Sequence, residues 1–202
     1  MKSLDYIKIW LKENLSAKRY SHSEGCAIRA RELAQLYGLD EDKAYLTGLM
    51  HDCAKNFSNE ELYDIIKNEI KTGFDESELK NPKTYHAIAG AYFVKKYFEA
   101  DDPEIIQAVR NHTIGAVDMT LFDKVVFLAD KIEPYQRDEK YVKKIMKIIK
   151  KFKGITGLDV ALLKCFEETI KSLVKRKLYI CPTTIDVYNV LIESVGDLLK
   201  EE

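Results

Sequence analysis

Six ionisable side chains recur along the sequence in an order that could build a metal site. A histidine comes first, an adjacent His-Asp pair follows, and two further histidines and an aspartate complete the set, which consists of His22, His51, Asp52, His86, His112 and Asp130. Carboxylates and neutral imidazoles are ligands that iron, manganese and zinc take in proteins. The chain has 4 histidines in all, so every one of them falls within this pattern.

Several of these groups share helix faces with apolar residues. Asp130 follows Val126 by one helical turn, and His112 follows Val109 in the same way. A single histidine on such a face is more often a hydrogen-bonded core residue than a metal ligand. A whole set of buried carboxylates and imidazoles without partners would cost a large free energy, and a divalent cation removes that cost by neutralising the aspartates. The ordered set therefore favours a metal centre.

The elements that must position these groups are helices. Apolar residues recur at three and four positions throughout, which is typical of an all-α fold. Capping signals at Ser21 with Glu24 and at Ser58 with Glu61 mark helix starts, and Gly38 marks a helix end. The pattern predicts helices over residues 3–15, 21–38, 40–54, 58–71, 83–98, 102–114, 119–132, 140–152, 156–176 and 184–199.

The bulk composition is that of an ordinary globular protein, with 46% hydrophobic residues, 32% charged residues and a formal net charge of -1. This balance gives no reason to expect nucleic acid or an anionic membrane as a partner. No stretch approaches the roughly 18 apolar residues of a spanning helix, and the N-terminus does not resemble a signal peptide. Buried, reduced thiols are expected for the widely spaced cysteines, and the cytoplasm is the default location; they are Cys26, Cys53, Cys165 and Cys181.

One helix carries a local run of positive charge. Its lysines are Lys140, Lys143, Lys144, Lys147, Lys150, Lys151 and Lys153. A nucleic-acid or membrane surface is one interpretation of such a run. The sequence favours a solvated helix face, because Val142, Ile145, Met146 and Ile149 supply an ordinary apolar stripe toward the core.

The sequence motifs around the six residues resemble those of the HD superfamily of metal phosphohydrolases. They are closer still to the YqeK family of symmetrical bis(5'-nucleosyl)-tetraphosphatases. The resemblance rests on Arg-Tyr-Ser-His at 19–22, Gly-Leu-Met-His-Asp-Cys-Ala-Lys at 48–55, His-Ala at 86–87, His-Thr-Ile-Gly at 112–115, Ala-Asp-Lys-Ile-Glu-Pro at 129–134 and Pro-Thr-Thr-Ile-Asp-Val-Tyr-Asn at 182–189. Two departures occur: Ile114 replaces a small polar residue, and Arg137 lies one residue later than the family pattern suggests.

This resemblance implies a fold and a metal site. The fold is an HD-domain helical bundle with additional C-terminal helices, in a single domain over 1–202, with the core motifs at 19–137 and the further helices at 138–202. It implies that a first ion, expected to be iron, is held by His22, His51, Asp52 and Asp130. Either His86 and His112 complete a second metal site bridged through Asp52, or they bind phosphate. Manganese or zinc is also compatible with these ligands.

The implied reaction is the hydrolysis of diadenosine tetraphosphate to two molecules of ADP. A divalent metal would activate water and withdraw charge from the phosphoryl oxygens. Asp52 and Lys55 are the candidate catalytic residues. The candidate substrate-binding residues are Arg19, Lys55, His86, His112, Lys131 and Arg137, with surface solvation as the alternative role for the cations among them.

Other functions stay open at this stage. The same fold and metal site could serve a nucleotidase, a triphosphohydrolase or a cyclic-nucleotide phosphodiesterase. A non-catalytic nucleotide sensor is a further alternative from a different class of function, although such a module has no need of a metal-activated water. Whether the chain forms a homodimer is left open by the sequence.

Overall fold

The computed structural model describes residues 1–199, and that range contains α-helices and short helical turns but no β-strand. This confirms the predicted all-α fold class. The α-helices of the described range are α1 (Leu4–Asn14), α2 (Ala17–Tyr37), α3 (Glu41–Met50), α4 (Asn59–Ile65), α5 (Tyr85–Phe98), α6 (Pro103–Asn111), α7 (Leu121–Lys131), α8 (Glu139–Phe152), α9 (Gly154–Lys175) and α10 (Pro182–Val195).

Helix α2 is longer than its capping pattern predicts. The predicted start at Ser21 is wrong, because the side chain of Ser16 accepts a hydrogen bond from the backbone N–H of Arg19 and caps the helix one turn earlier. The extra turn places Arg19 on the same helix as His22 and buries Tyr20. The predicted capping box of Ser58 and its partner three residues later is confirmed at the start of α4.

The chain between α4 and α5 is built from short helical turns rather than one extended helix. Helix α4 passes into a π-helix at Ile66–Ile70, and two 3₁₀ turns follow at Glu76–Lys80 and Pro82–Thr84. The buried carboxylate of Glu78 accepts two hydrogen bonds from Arg110 at 2.6 and 2.7 Å, which ties this segment to α6. A partner so distant in sequence explains why local periodicity did not predict these turns.

Two hydrophobic clusters form the core. One contains buried residues of α1, α3, α5 and α6, and the other is centred on α7, α8 and α9, while α2 contributes to both. Helices α2 and α3 pack closely because Gly48 has no side chain at their contact. The metal-site candidates lie on helices from both clusters, so the packing of the whole core sets their relative positions.

The C-terminal helices pack onto this core. Phe166 of α9 stacks on Phe127 of α7 with ring centroids 4.7 Å apart. In α8, Ile145 and Ile149 are buried, as the sequence predicts for its apolar stripe. All four cysteines are free and buried, as expected. No helix in the range 1–199 is long and apolar enough to cross a membrane.

Candidate metal centre

The six candidate ligands are brought together in the interior, although they come from five different parts of the chain. His22 lies on α2, His86 in the first turn of α5 and Asp130 in the last turn of α7. The remaining three lie where α3 and α6 end, at His51, Asp52 and His112. Their exposed fractions range only from 0% to 6%.

Helix ends orient two of the imidazoles. The Nδ1 atom of His51 lies 2.7 Å from the carbonyl oxygen of Gly48, and the Nδ1 atom of His112 lies 2.6 Å from the carbonyl oxygen of Val109. Each Nδ1–H donates to a free carbonyl of the last helical turn, which orients each Nε2 toward the carboxylates. Both imidazoles thus present Nε2 as the atom that could ligate a metal.

Asp130 and the first two histidines form one group of converging atoms. The Nε2 atom of His22 lies 3.0 Å from Asp130 Oδ1, and the Nε2 atom of His51 lies 3.7 Å from the same oxygen. Asp52 Oδ2 is 3.9 Å from His22 Nε2 and 3.8 Å from His51 Nε2. The Nε2 atoms of His22 and His51 thus each lie within 4 Å of both carboxylates.

The second oxygen of Asp52 belongs to a second group. Asp52 Oδ1 lies 3.3 Å from His86 Nε2 and 3.4 Å from His112 Nε2, and these two nitrogens are 3.1 Å apart. Thr113 Oγ1 lies 3.1 Å from both nitrogens. Asp52 is therefore placed between the two groups, with one carboxylate oxygen toward each.

Two buried atoms test whether a metal fits. Within the described range, His51 Nε2 and Asp52 Oδ1 are buried and have no hydrogen-bond partner. Leaving such atoms unsatisfied costs about 1–3 kcal/mol each or more for a charged group. Ligand atoms of His22, His51 and Asp130 lie within 4.8 Å of one another, as do those of His51, Asp52 and His112. The donor set and the unsatisfied atoms fit a divalent metal ion.

The electrostatics of the site agree with that assignment. Burial and the neighbouring Lys55 ammonium hold the pKa of His86 well below its ordinary value, so this imidazole is neutral. Burial acts to raise the pKa of Asp52, but the charges of Lys55 and His51 outweigh burial and keep the pKa well below its usual range. Burial acts to lower the pKa of His22, and hydrogen bonds to Asp130 and Glu133 raise it to about 9. A cation between these carboxylates would replace the proton on His22.

Glu133 is a residue of the site that the sequence analysis missed. Its Oε1 atom lies 3.2 Å from His22 Nδ1, and its carboxylate accepts hydrogen bonds from the backbone N–H groups of Tyr135 and Gln136 at 2.6 and 2.8 Å. Glu133 is fully buried, and Gly25 leaves room for it, since a Cβ there would lie 2.3 Å from Oε2. The sequence signal that could have identified Glu133 was its position in the Ala-Asp-Lys-Ile-Glu-Pro motif.

The structure also places all four predicted cations at this site. Lys55 Nζ lies 2.7 Å from His86 Nε2 and 3.6 Å from Asp52 Oδ1, and Arg19 Nη1 lies 3.6 Å from Asp52 Oδ2. Two more cations contact the carboxylate of Asp130, Lys131 through Nζ at 2.7 Å and Arg137 through Nη2 at 2.7 Å. The shifted position of Arg137 in the sequence does not keep it from the site, because its side chain reaches back seven residues.

A cavity of about 500 Å³ opens above these groups. The four cations and five of the six candidate ligands line it, and helices α8 and α9 add Tyr141, Glu168, Thr169, Ser172 and Arg176. Its volume lies within the usual range for small-molecule sites. The contribution of the C-terminal helices to this cavity was not predicted from the sequence.

Comparison with known proteins agrees with the site. The family model described as HD domain matches residues 19–135. A protein of Halalkalibacterium halodurans named "Bis(5'-nucleosyl)-tetraphosphatase, symmetrical" is 34% identical over 182 residues, which cover 90% of this chain and 93% of the relative. A Bacillus subtilis protein of the same name is 35% identical over 182 residues, with 90% and 94% covered. The chain belongs to the HD-domain family, among the symmetrical bis(5'-nucleosyl)-tetraphosphatases.

A solved structure of another HD-domain protein has the same fold. It comes from Clostridium acetobutylicum and is described as a predicted HD superfamily hydrolase involved in NAD metabolism. The two chains share 35% identity with a TM-score of 0.87, over 96% of this chain and 99% of the other. These comparisons confirm the HD-type helical bundle. They also confirm the family resemblance that the sequence motifs indicated.

Proposed function

We propose that this HD-domain protein hydrolyses diadenosine tetraphosphate symmetrically, with two molecules of ADP as products. The observation that carries the proposal is the buried His/Asp cluster at the floor of a cation-lined cavity. The same reaction is supported by the names of the relatives from Halalkalibacterium halodurans and Bacillus subtilis, which match 90% of this chain.

We assign His22, His51, Asp52 and Asp130 to a first divalent ion, for which we propose iron, and manganese and zinc suit the same donor set. His86 and His112 would complete a second site with Asp52 or contact phosphate directly. When bound, the ion lowers the pKa of a water molecule and withdraws charge from the phosphoryl oxygens.

The chain's own side chains would position the reacting groups. Asp52 Oδ1 has no hydrogen-bond partner within the described range and could orient the attacking water. Lys55 is placed to hold its ammonium beside the phosphoryl oxygens, where positive charge stabilises the transition state. Arg19, whose side chain is 44% exposed, would contact the polyphosphate from the wall of the cavity. Lys131 and Arg137 would act mainly by holding Asp130.

The first test is product analysis. Protein reconstituted anaerobically with ferrous iron is incubated with diadenosine tetraphosphate, and the products are separated by chromatography. ADP is expected as the sole product. His51→Ala and Asp52→Ala should lower the rate by about 10²–10³-fold or more, since each removes a group that organises charge at the reacting phosphate. Asp64→Ala, at an exposed position on α4, is the control and should keep full activity.

Two results would overturn the assignment. Iron-loaded protein that leaves the substrate whole would refute the tetraphosphatase function, and release of AMP with ATP would refute symmetrical cleavage. A panel of mononucleotides and cyclic nucleotides would then separate another HD-type hydrolase from a nucleotide sensor that binds without turnover.

We also propose a cytoplasmic setting, which suits four free and buried thiols. The homodimer considered from the sequence stays a prediction, and light scattering on the metal-loaded protein would decide it.

A further inference from the structure

Two cations of the cavity are not accounted for by the metal centre. Lys83 and Arg176 line the same cavity as the candidate ligands. In the range 1–199, neither side chain forms a hydrogen bond or an ion pair, and both residues are exposed. Lys131 and Arg137, in contrast, are both engaged with Asp130. Within that range, Lys83 and Arg176 therefore carry positive charge that is not engaged in an ion pair.

The backbone segments that carry these two cations are fastened to each other. Asn81 is buried, and its Nδ2 atom donates a hydrogen bond of 2.9 Å to the carbonyl oxygen of Tyr179. Its Oδ1 atom accepts a hydrogen bond of 3.1 Å from the backbone N–H of Lys83. One side chain thus joins the turn before α5 to the segment after α9, which begins with Arg176 at the C-cap. The backbone segments that carry the two cations are consequently tied together in the cavity wall.

A long anionic ligand explains this arrangement better than surface solvation does. Each phosphate of a polyphosphate chain carries negative charge, and the ion and Lys55 can serve only those phosphates next to the cleaved bond. A guanidinium binds phosphate oxygens in a bidentate manner, and an ammonium binds them as a compact point charge. Unpaired cations that share a cavity with a metal centre are suited to the phosphates farther along the same chain.

We propose that Lys83 and Arg176 form a second phosphate-binding subsite, which holds the half of the dinucleotide that lies away from the reacting phosphate. The assignment rests on the proposed function for the identity of the substrate. It predicts that the two residues contribute to substrate binding and leave the chemical step unchanged.

The test compares steady-state constants of Lys83→Ala, Arg176→Ala and Arg176→Glu with those of the metal-loaded wild type. The loss of one charge-assisted contact should raise KM for diadenosine tetraphosphate about tenfold or more, and charge reversal should raise it further. The value of kcat should stay within about twofold, because uniform binding energy affects KM alone. Inorganic phosphate is expected to bind only at the metal centre, so it should inhibit the variants and the wild type equally.

Matched variants separate this role from a structural one. Lys175→Ala removes a neighbouring exposed charge at the end of α9 that does not line the cavity, and it should leave KM unchanged. Arg176→Lys keeps the charge and should restore part of the affinity. An unchanged KM in both alanine variants and in Arg176→Glu would overturn the subsite. A parallel fall in kcat and in phosphate inhibition would also overturn it, since that result indicates a structural defect.

The subsite can be tested even where the proposed function fails. If wild-type protein does not cleave diadenosine tetraphosphate, calorimetry measures its binding, and that of inorganic phosphate, to the metal-loaded protein. Weaker dinucleotide binding by Arg176→Ala with unchanged phosphate binding would support the subsite. Equal dinucleotide binding by the variant and the wild type would refute it.

Discussion

The two ring nitrogens of His22 face different carboxylates, and the one that faces Nδ1 is not a candidate metal ligand. Its Nε2 atom faces Asp130, while its Nδ1 atom lies 3.2 Å from Glu133. A carboxylate on the far nitrogen fixes the tautomer of a metal-ligating histidine and makes the imidazole more basic. We therefore expect Glu133 to be a positioning residue that would act on a bound metal through His22.

We expect Glu133→Gln to weaken metal binding by about 10–100-fold, the usual cost of removing such a partner. The amide has nearly the same shape, but it lacks the charge and offers one acceptor oxygen where the carboxylate serves His22 and two backbone N–H groups. Titration of manganese into the apo protein, followed by calorimetry, measures the affinity.

Glu32→Gln provides the control for this substitution, because Glu32 pairs with Arg29 on the outer side of the same helix as His22. Circular dichroism should show both variants to be folded. Equal metal affinity in Glu133→Gln and in the wild type would contradict the positioning role.

At the scale of elements, the contact between α2 and α3 decides the geometry of the first ligand group. A Cβ atom on Gly48 would lie 2.9 Å from both the Cα atom of Ala27 and the carbonyl oxygen of Cys26. Both of these atoms belong to the backbone, so a small rotation of a side chain cannot relieve the overlap. The close approach places the rings of His22 and His51 with their centroids 5.2 Å apart.

We predict that Gly48→Ala destabilises the protein by about 1–3 kcal/mol, as overpacking of a tight contact does. The higher helix propensity of alanine, worth about 1 kcal/mol, only partly offsets that loss. Urea denaturation of the apo protein measures the free energy of unfolding. Metal affinity should fall as well, because separation of the two helices moves His51 away from His22.

Gly196→Ala serves as the comparison, since a Cβ atom there would meet nothing closer than 3.5 Å. That variant should be as stable as the wild type or slightly more stable. If Gly48→Ala proved equally harmless, the helices would have to be less closely packed than described.

Most helices could be predicted from the sequence, because their apolar periodicity and their caps are local signals. The predicted start of α2 was wrong because Ser16 and Ser21 both offer caps, and the burial of Tyr20 favours the earlier one. The turns between α4 and α5 were missed because Glu78 depends on Arg110, which lies on a different helix.

The distinction between local signals and contacts with distant residues also applies to the site. His112 and Asp130 could be singled out because ionisable residues on apolar helix faces need a reason to be buried. Nothing local marks Lys83 or Arg176, since they are ordinary surface cations until the cavity brings them together. The lysine-rich face of α8 likewise stays a prediction, although its apolar stripe packs inward as expected.

At the scale of the molecule, the candidate ligands connect most of the core. They come from α2, α5, α7 and the ends of α3 and α6. A metal ion that binds these ligands in the folded state and not in the unfolded state stabilises the folded protein by mass action. Metal binding should therefore report on the integrity of the whole bundle.

Addition of manganese at about 100 times its dissociation constant should stabilise the protein by about 2.7 kcal/mol. For a chain of this size, that corresponds to a rise in Tm of roughly 5–10 °C. Thermal unfolding with metal and with a chelator measures the difference. Asp52→Ala, which loses the residue between the two ligand groups, should show a much smaller rise, and an identical rise would contradict its role as a ligand.

All six candidate ligands lie at or before residue 130, whereas Tyr141, Glu168 and Arg176 of the cavity wall come later in the chain. Translation proceeds from the N-terminus, so the ribosome completes the candidate ligands before it has made the wall that surrounds a substrate. The capacity to hold a dinucleotide therefore depends on the last helices to be synthesised.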